Sequence, residues 1–407
     1  MGSRPVVYLH IGEPKTGSTH LQQVMWRNRA ALARAGVMLP GPRPLAHWRA
    51  TQDLREVEQL PNDPIGPHAG AWERLVRQAL RAPRVAVISH ELLSAASAAQ
   101  ARRAVESFGE AEVHVVLCVR DFATLLPAEW QESVKHRSTR SWTDWLRDVI
   151  DDESPAADRR QWWFWRVHDS LEILRIWSAG LPSARVHVVT VPPRGSAPDV
   201  LWHRFAKVIG ADHEDVDLTR APVNASLGLT EAEFLRRLNL ELPEELPDWL
   251  YMRMVKDVVA NTALAARSKA ERLELPRERF EWARRESERV AAGLRLSGFD
   301  IVGDLDDLVP DEPLGSRSPV DVGDDELLVP SLTATTALLT AVAATQGVSL
   351  EPAASADSLG SKTPSRLKRA VIAMSLRSQT VHRVRRGYWH ATNAVRRTRR
   401  ITTDRSA

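Results

Sequence analysis

Four short runs, VVYLHI at 6–11, VAVIS at 85–89, VHVVLCV at 113–119 and VHVVTV at 186–191, are rich in β-branched residues and do not alternate between polar and apolar side chains. A strand with one wet face alternates; a strand covered on both faces does not, and such strands belong to parallel sheets. Between the runs, residues 19–35, 70–81, 97–108 and 122–136 space Ala, Leu, Arg and Glu at about 3.6 residues, the period of a helix with one buried face. Strand and crossover helix repeated in this way predict a three-layer α/β domain, a parallel sheet flanked by helices.

Ligands of such sheets bind beyond the carboxyl ends of the strands. The residues to read for chemistry are therefore the loop 12–19, His90 and Glu91, Arg120 and Asp121, and Pro192 to Gly195. Farther on, 229–300 is helical again, interrupted by LPEELPDW, and SGFDIVGDLDDLVP reads as a terminal stop. The expected organisation is an α/β domain over 1–310, an acidic linker with Pro and Gly over 311–330, and a C-terminal extension over 331–407. Within the extension, SLTATTALLTAVAATQG suits a short apolar helix, 351–365 is rich in Ser, Ala and Pro, and a basic tail closes the chain.

The net charge of +3 conceals an asymmetry, because residues 362–407 carry thirteen Lys or Arg and one acid, Asp404, which leaves the body net acidic. In the tail, apolar residues such as Ile372, Leu376 and Trp389 alternate with arginine clusters, a composition suited to solvated disorder or to an amphipathic helix on an anionic membrane surface. Nucleic acid is not the expected partner. The single cysteine, Cys118, lies inside an apolar run, so a disulfide framework is excluded, a reducing setting is favoured and Cys118 is expected to pack in the core. No apolar run approaches the roughly 18 residues that span a bilayer. A soluble, cytoplasmic protein is expected, peripheral at the inner membrane face if its tail meets lipid.

The first strand leads into HIGEPKTGSTHLQ. Gly12, Gly17 and Thr19 keep the spacing of a nucleotide-phosphate loop, but Ser18 stands where that loop has its lysine, and Lys15 lies inside the loop instead. Asp121 follows a strand but sits behind Arg120, a cation where a metal site would want none. An anion held by amides and side chains without a metal fits these residues better. The segment resembles the 5′-phosphosulfate loop of sulfotransferases that use 3′-phosphoadenosine 5′-phosphosulfate (PAPS), in which P-K-[TS]-G-[ST]-[ST] joins the first strand to the first helix. The likeness extends over about residues 5–310, mainly in the order of elements, and implies a P-loop-type fold.

That resemblance implies a second element, an Arg after a strand and a Ser about eight residues on, which together hold the 3′-phosphate. Here VVLCVRDFATLLPAEWQESVK supplies Arg120, but Ala128 occupies the serine position; Ser133 and Thr124 are the substitutes on the same helix. Binding of PAPS, and of its product 3′-phosphoadenosine 5′-phosphate (PAP), is thus expected at Lys15, Thr16, Gly17, Ser18, Thr19 and Arg120, with Ala128 and Ser133 at the 3′-phosphate. No metal is expected. Sulfuryl transfer needs a base for the acceptor hydroxyl and a cation on the leaving oxygen. Lys15 suits the second task; for the first, Glu91 is favoured slightly over His90, because the helix after it would turn its first side chain toward the loop. Capping explains Ser18 and Thr19 equally well, and a core position explains His10.

The acceptor is expected to be a hydroxyl of a glycan, a glycolipid or a small molecule. RRQWWFWRVHD offers Trp162, Trp163 and Trp165 either for stacking on a sugar or for packing, and packing is favoured. Asn224 and Ser226 suit a ligand contact or a turn. Two other readings stand beside this one: a degenerate P-loop kinase using ATP and Mg²⁺, and a non-catalytic nucleotide-binding protein that acts through its basic tail.

Overall fold

The computed structural model describes residues 4–58, 67–150, 162–211, 216–218, 226–267, 271–311 and 317–345. Six strands form one parallel sheet: β1 (Val6–His10), β2 (Val37–Met38), β3 (Val85–Ser89), β4 (Glu112–Val119), β5 (Val186–Thr190) and β6 (Asp300–Val302), in the spatial order β2-β3-β1-β4-β5-β6. The first strand is central, with His10 opposite Ser89 of β3 on one side and Val116 of β4 on the other. The four long apolar runs are the four inner strands. The two edges are additions to the expected sheet: β2 is two residues long, and β6 lies inside the segment read as a terminal stop.

Successive side chains of each strand divide between two cores. Val7, Leu9, Ala86, Ile88, Val113, Val115, Leu117, Val186 and Val188 face one; Val87, Val116, Cys118 and Val189 face the other. Burial and the carboxylate of Glu13 hold the Cys118 thiol well above its ordinary range, so it is a packing group. On the Cys118 side lie α1 (Ser18–Arg27), α2 (Arg29–Arg34) and, from later in the chain, Val200–Ile209. On the Leu9 side lie α3 (Leu45–Leu54), α4 (Ala71–Ala79), α5 (Ala98–Glu106), α6 (Phe122–Lys135), α7 (Trp142–Ile150), α8 (Trp163–His168) and α9 (Ser170–Trp177). The Val200–Ile209 helix is α10.

The remaining chain adds α11 (Leu229–Glu241), α12 (Asp248–Tyr251), a π-helical turn series over Met252–Leu264, α13 (Arg277–Leu296) and α14 (Leu328–Thr345). α14 packs against the π-helical segment and against α11. Ser and Thr interrupt its apolar residues, which is why the sequence shows no long apolar run; by length and composition, however, this helix is sufficient to cross a membrane. Asn224 and the basic tail 362–407 lie outside the described residues.

Near the amino edge of the sheet, Glu112, His114, His187 and Asp300 form a hydrogen-bonded chain across β4, β5 and β6. His114 Nε2 meets Glu112 Oε1 at 2.8 Å, His114 Nδ1 meets His187 Nε2 at 2.7 Å, and His187 Nδ1 meets Asp300 Oδ2 at 2.7 Å. The two outer bonds have the geometry of ring N–H groups donating to carboxylates, and burial lowers the His114 pKa.

Candidate anion site at the carboxyl edge

The loop after β1 extends the sheet for two residues before turning. Cys118 N donates to the Gly12 carbonyl at 2.7 Å, and Glu13 N donates to the Cys118 carbonyl at 3.0 Å. Gly12 has φ +121°, and a β-carbon there would lie 2.8 Å from the Glu91 carbonyl oxygen, so only glycine lets the loop touch the end of β3. Gly17, at φ +89°, starts α1 in a left-handed conformation with the Leu201 side chain where its β-carbon would be. Lys15 between them is also left-handed, at φ +62°.

The loop is folded around one carbonyl. Thr16 and Ser18 both donate their hydroxyls to the Glu13 carbonyl, at 2.6 and 3.0 Å. Those hydroxyl protons are committed, so the donors left for an anion are the first amides of α1 and the cations around them, not the Thr16 and Ser18 hydroxyls. Neither Ser18 nor Thr19 is the N-cap of the helix; that position is Gly17, which has no side chain to bond the first turn. Thr19 is exposed.

Beneath the loop the Glu13 side chain is buried, and Ser170 of α9 donates to its Oε1. His168, fully enclosed, lies between Glu13 Oε2 at 3.5 Å and Glu129 Oε2 at 3.4 Å, distances of ion pairs rather than of aligned hydrogen bonds. Burial alone would lower the His168 pKa; the two carboxylates outweigh it and raise it to about 9. Burial raises the Glu13 pKa, which His168 and Ser170 only partly offset, so the loop rests on a buried cluster of one imidazole and two carboxyl groups. Nothing in the sequence marks this triad, because its members are separated by more than a hundred residues in one case and have no motif in common.

Arg120 follows β4 as expected, and its guanidinium donates to the Lys15 carbonyl at 2.9 Å. Lys15 reaches α6, where its ammonium lies 2.7 Å from Glu132 Oε2. The other Glu132 oxygen accepts from Lys256 at 2.9 Å and pairs with His136 at 3.1 Å. Burial would raise the Glu132 pKa, but His136, Lys15 and Lys256 together hold it far below the carboxylate range. Lys135, farther along α6, has its pKa lowered by burial, with Glu132 opposing and Lys15 and Lys256 adding smaller repulsions. Burial also lowers the pKa of Arg120; Asp121 opposes this, and Arg194 adds a smaller repulsion. Several cations share too few carboxylates at this edge, and such a surplus suits a multiply charged anion.

α6 separates the candidate 3′-phosphate residues. Five residues of helix turn Ser133 about 140° from Ala128, whereas Thr124 and Glu132, each four residues away, share its face. The Ser133 hydroxyl is also occupied, donating to the Trp130 carbonyl at 2.8 Å. Ser133 therefore does not share the face of Ala128, whereas Thr124, in the first turn, does. Ala128 itself makes no polar contact through its side chain.

His90 and Glu91 stand at the end of β3. His90 is buried, and its Nδ1 accepts from the Leu92 amide at 3.2 Å, which puts the imidazole proton on Nε2. Burial keeps the ring neutral against the pull of Glu91. Glu91 Oε2 accepts from Gln22 Nε2 of α1 at 3.2 Å. Burial opposes its charge, a protonated His90 would favour it, and with His90 neutral the bonds from its own amide and from Gln22 are what favour the carboxylate. His10, behind them, is enclosed, bonds Ser89 Oγ at 2.7 Å, and is pushed down to about 4 by burial.

The tryptophan cluster divides. Trp165 is buried against Phe122, Phe164 and Trp282. Trp162 and Trp163 are 50% and 46% exposed, so packing does not account for all three. The Arg55 guanidinium lies 5.7 Å from the Trp163 ring centre, and its charge also acts on His90. Ser226 is exposed.

No protein-family model matches the chain, and no curated protein matches it. Among solved structures, a crystal structure of a sulfotransferase from Alicyclobacillus acidocaldarius is similar to it, with 16% identity over 63% of this chain and 96% of that one, at a TM-score of 0.33.

Proposed function

We propose that the chain is a sulfotransferase that moves the sulfuryl group of PAPS to a hydroxyl of a glycan, glycolipid or small-molecule acceptor. One observation carries the reading: the Arg120 guanidinium bonds the backbone of Lys15, so the strand-end arginine and the P-K-T-G-S-T loop form a single cationic edge at the start of α1. The first amides of α1 would take the 5′-phosphosulfate, Lys15 would neutralise charge on the oxygen that leaves, and Arg120 with Thr124 on the shared face of α6 would take the 3′-phosphate. PAPS supplies the sulfuryl group and a bisphosphate leaving group; the protein supplies position, cations and a base.

Glu91 is the base in this proposal. With its proton on Nε2, neutral His90 presents a donor rather than an acceptor at its open nitrogen, which suits orientation of the acceptor oxygen or support of the Glu91 carboxylate. Exposed Trp163, backed by Arg55 close to His90, favours an acceptor with a flat or sugar-like face.

Calorimetric titration with PAP, set beside ATP plus Mg²⁺, tests the reading. Metal-independent PAP binding that Lys15→Ala and Arg120→Ala both weaken supports it. Binding of ATP with Mg²⁺ instead would replace it with the kinase reading, and binding of neither would leave the loop without a nucleotide role.

A further inference from the structure

Arg55 closes α3, and its backbone is held on both sides: its amide donates to the Thr51 carbonyl at 3.0 Å, and its carbonyl accepts from Gln100 Nε2 at 2.9 Å. The side chain is half-buried, with its guanidinium over the ring of Trp163 at the start of α8. The two carboxylates nearest to it in sequence on either side are committed elsewhere. Asp53 accepts from the amides of Gly70 and Trp72 at 3.1 and 2.9 Å, and Glu56 pairs with Arg103. Among the described residues no carboxylate meets the Arg55 guanidinium.

Other arginines in the molecule are placed differently. Arg175, Arg237, Arg289 and Arg317 each bond a glutamate that raises the guanidinium pKa. Among the described residues only Arg55 and Arg120 are shifted downward, and Arg120 already has a phosphate assigned to it. Burial lowers Arg55 to about 10, with repulsion from Arg166 adding to the effect. A half-buried cation without a counter-charge costs free energy that a bound anion recovers.

The surroundings of Arg55 say which anion. Repulsion on it comes from Arg166 and not from Lys15 or Arg120, which sets it apart from the donor edge. Its charge acts on His90, the neighbour of Glu91, and α8 packs on the turn that Glu91 begins. A ring lying on exposed Trp163 with a hydroxyl at Glu91 would therefore bring another of its substituents to the guanidinium.

We infer that Arg55 is an acceptor-binding residue, and that the acceptor carries a carboxylate on the unit that bears the reacting hydroxyl. The guanidinium fork takes the carboxylate in two parallel hydrogen bonds, while Trp163 takes the flat face. The inference rests on the sulfotransferase reading, because it takes Glu91 as the base, and it narrows the acceptor from any hydroxyl compound to an acidic one.

Calorimetry of the full chain saturated with PAP tests it, with phenyl β-glucuronide and phenyl β-glucoside as probes. The two differ by a carboxylate in place of a hydroxymethyl group. The glucuronide is expected to bind about tenfold more tightly. Arg55→Gln should collapse that ratio to about one, Arg55→Lys should keep part of it, and Trp163→Ala should weaken both probes alike. A merely structural role for Arg55 would lower both affinities and leave the ratio standing. Equal binding of the two probes by the wild type, binding of neither, or an unchanged ratio in Arg55→Gln overturns the inference while PAP binding stands. A wild-type chain that binds no PAP overturns the sulfotransferase reading and this inference with it.

Discussion

The ammonium of Lys15 and the carboxylate of Glu132 lie 2.7 Å apart, although 117 positions separate them in the chain. Lys15 is the cation assigned to the leaving oxygen, and Glu132 competes with any anion for it. Glu132→Gln removes a negative charge from the site and keeps the shape. PAP affinity should then rise about threefold to tenfold, with the gain shrinking at high salt, as read by calorimetry across ionic strengths. Unchanged or weaker binding would show that Glu132 matters by ordering Lys15, Lys256 and His136 rather than by competing.

Glu91→Gln keeps the Gln22 contact possible while removing the base. Turnover of PAPS with a surrogate phenol acceptor should fall about a hundredfold or more, with PAP affinity within a factor of about two of the parent. His90→Gln should cost less turnover than Glu91→Gln. The reverse order would move the base to the imidazole.

Replacing exposed Trp163 with Ala should raise the KM for an aromatic or sugar acceptor several-fold and leave PAP binding intact. Steady-state kinetics at fixed PAPS separate the two effects. A change in PAP affinity would place Trp163 on the donor side.

The buried histidines set opposite limits on stability. His168 is raised to about 9 in the folded chain, so its contribution is complete below about 6.5 and is lost as pH rises toward 9. His10 and His47 are depressed to about 4 by burial, so the unfolded chain takes up their protons first and stability falls as pH drops from about 6.5 toward 4. Thermal midpoints measured from pH 4 to 9.5 should peak near pH 6.5. In His168→Gln the decline on the alkaline side should flatten, a difference on the order of 3 kcal/mol at the plateau. An unflattened alkaline limb would mean the imidazolium is not what holds Glu13 and Glu129.

The inner strands and the P-K-T-G-S-T loop are legible in the sequence because both are local: a run of β-branched residues needs no partner to be recognised, and Lys15 and Arg120 each lie just beyond a strand. The edges are not, since two residues at Val37–Met38 and three at Asp300–Val302 are too short to show a pattern. The supports of the loop are hidden for a different reason. Glu13, Glu129, His168 and Glu132 look like ordinary charged residues until folding brings strand, loop and helices together. Ser133 and Ala128 show how helical phase escapes a linear reading, because nearness in sequence along α6 does not put two side chains on one face. α14 escapes a reading for long apolar runs because Ser and Thr break its run without adding charge.

The central place of β1 in the sheet has a consequence for how the protein is made. The loop at 12–19 is synthesised before each group that shapes it: Glu91 beside Gly12, the Cys118 amide and Arg120 on its backbone, Glu132 on Lys15, and His168 beneath Glu13. Contacts so distant along the chain slow the search for the native state. An amino-terminal fragment ending before α6 would carry the whole P-K-T-G-S-T motif and still lack Glu132 and His168, so the loop reaches its final shape only after His168 has been synthesised.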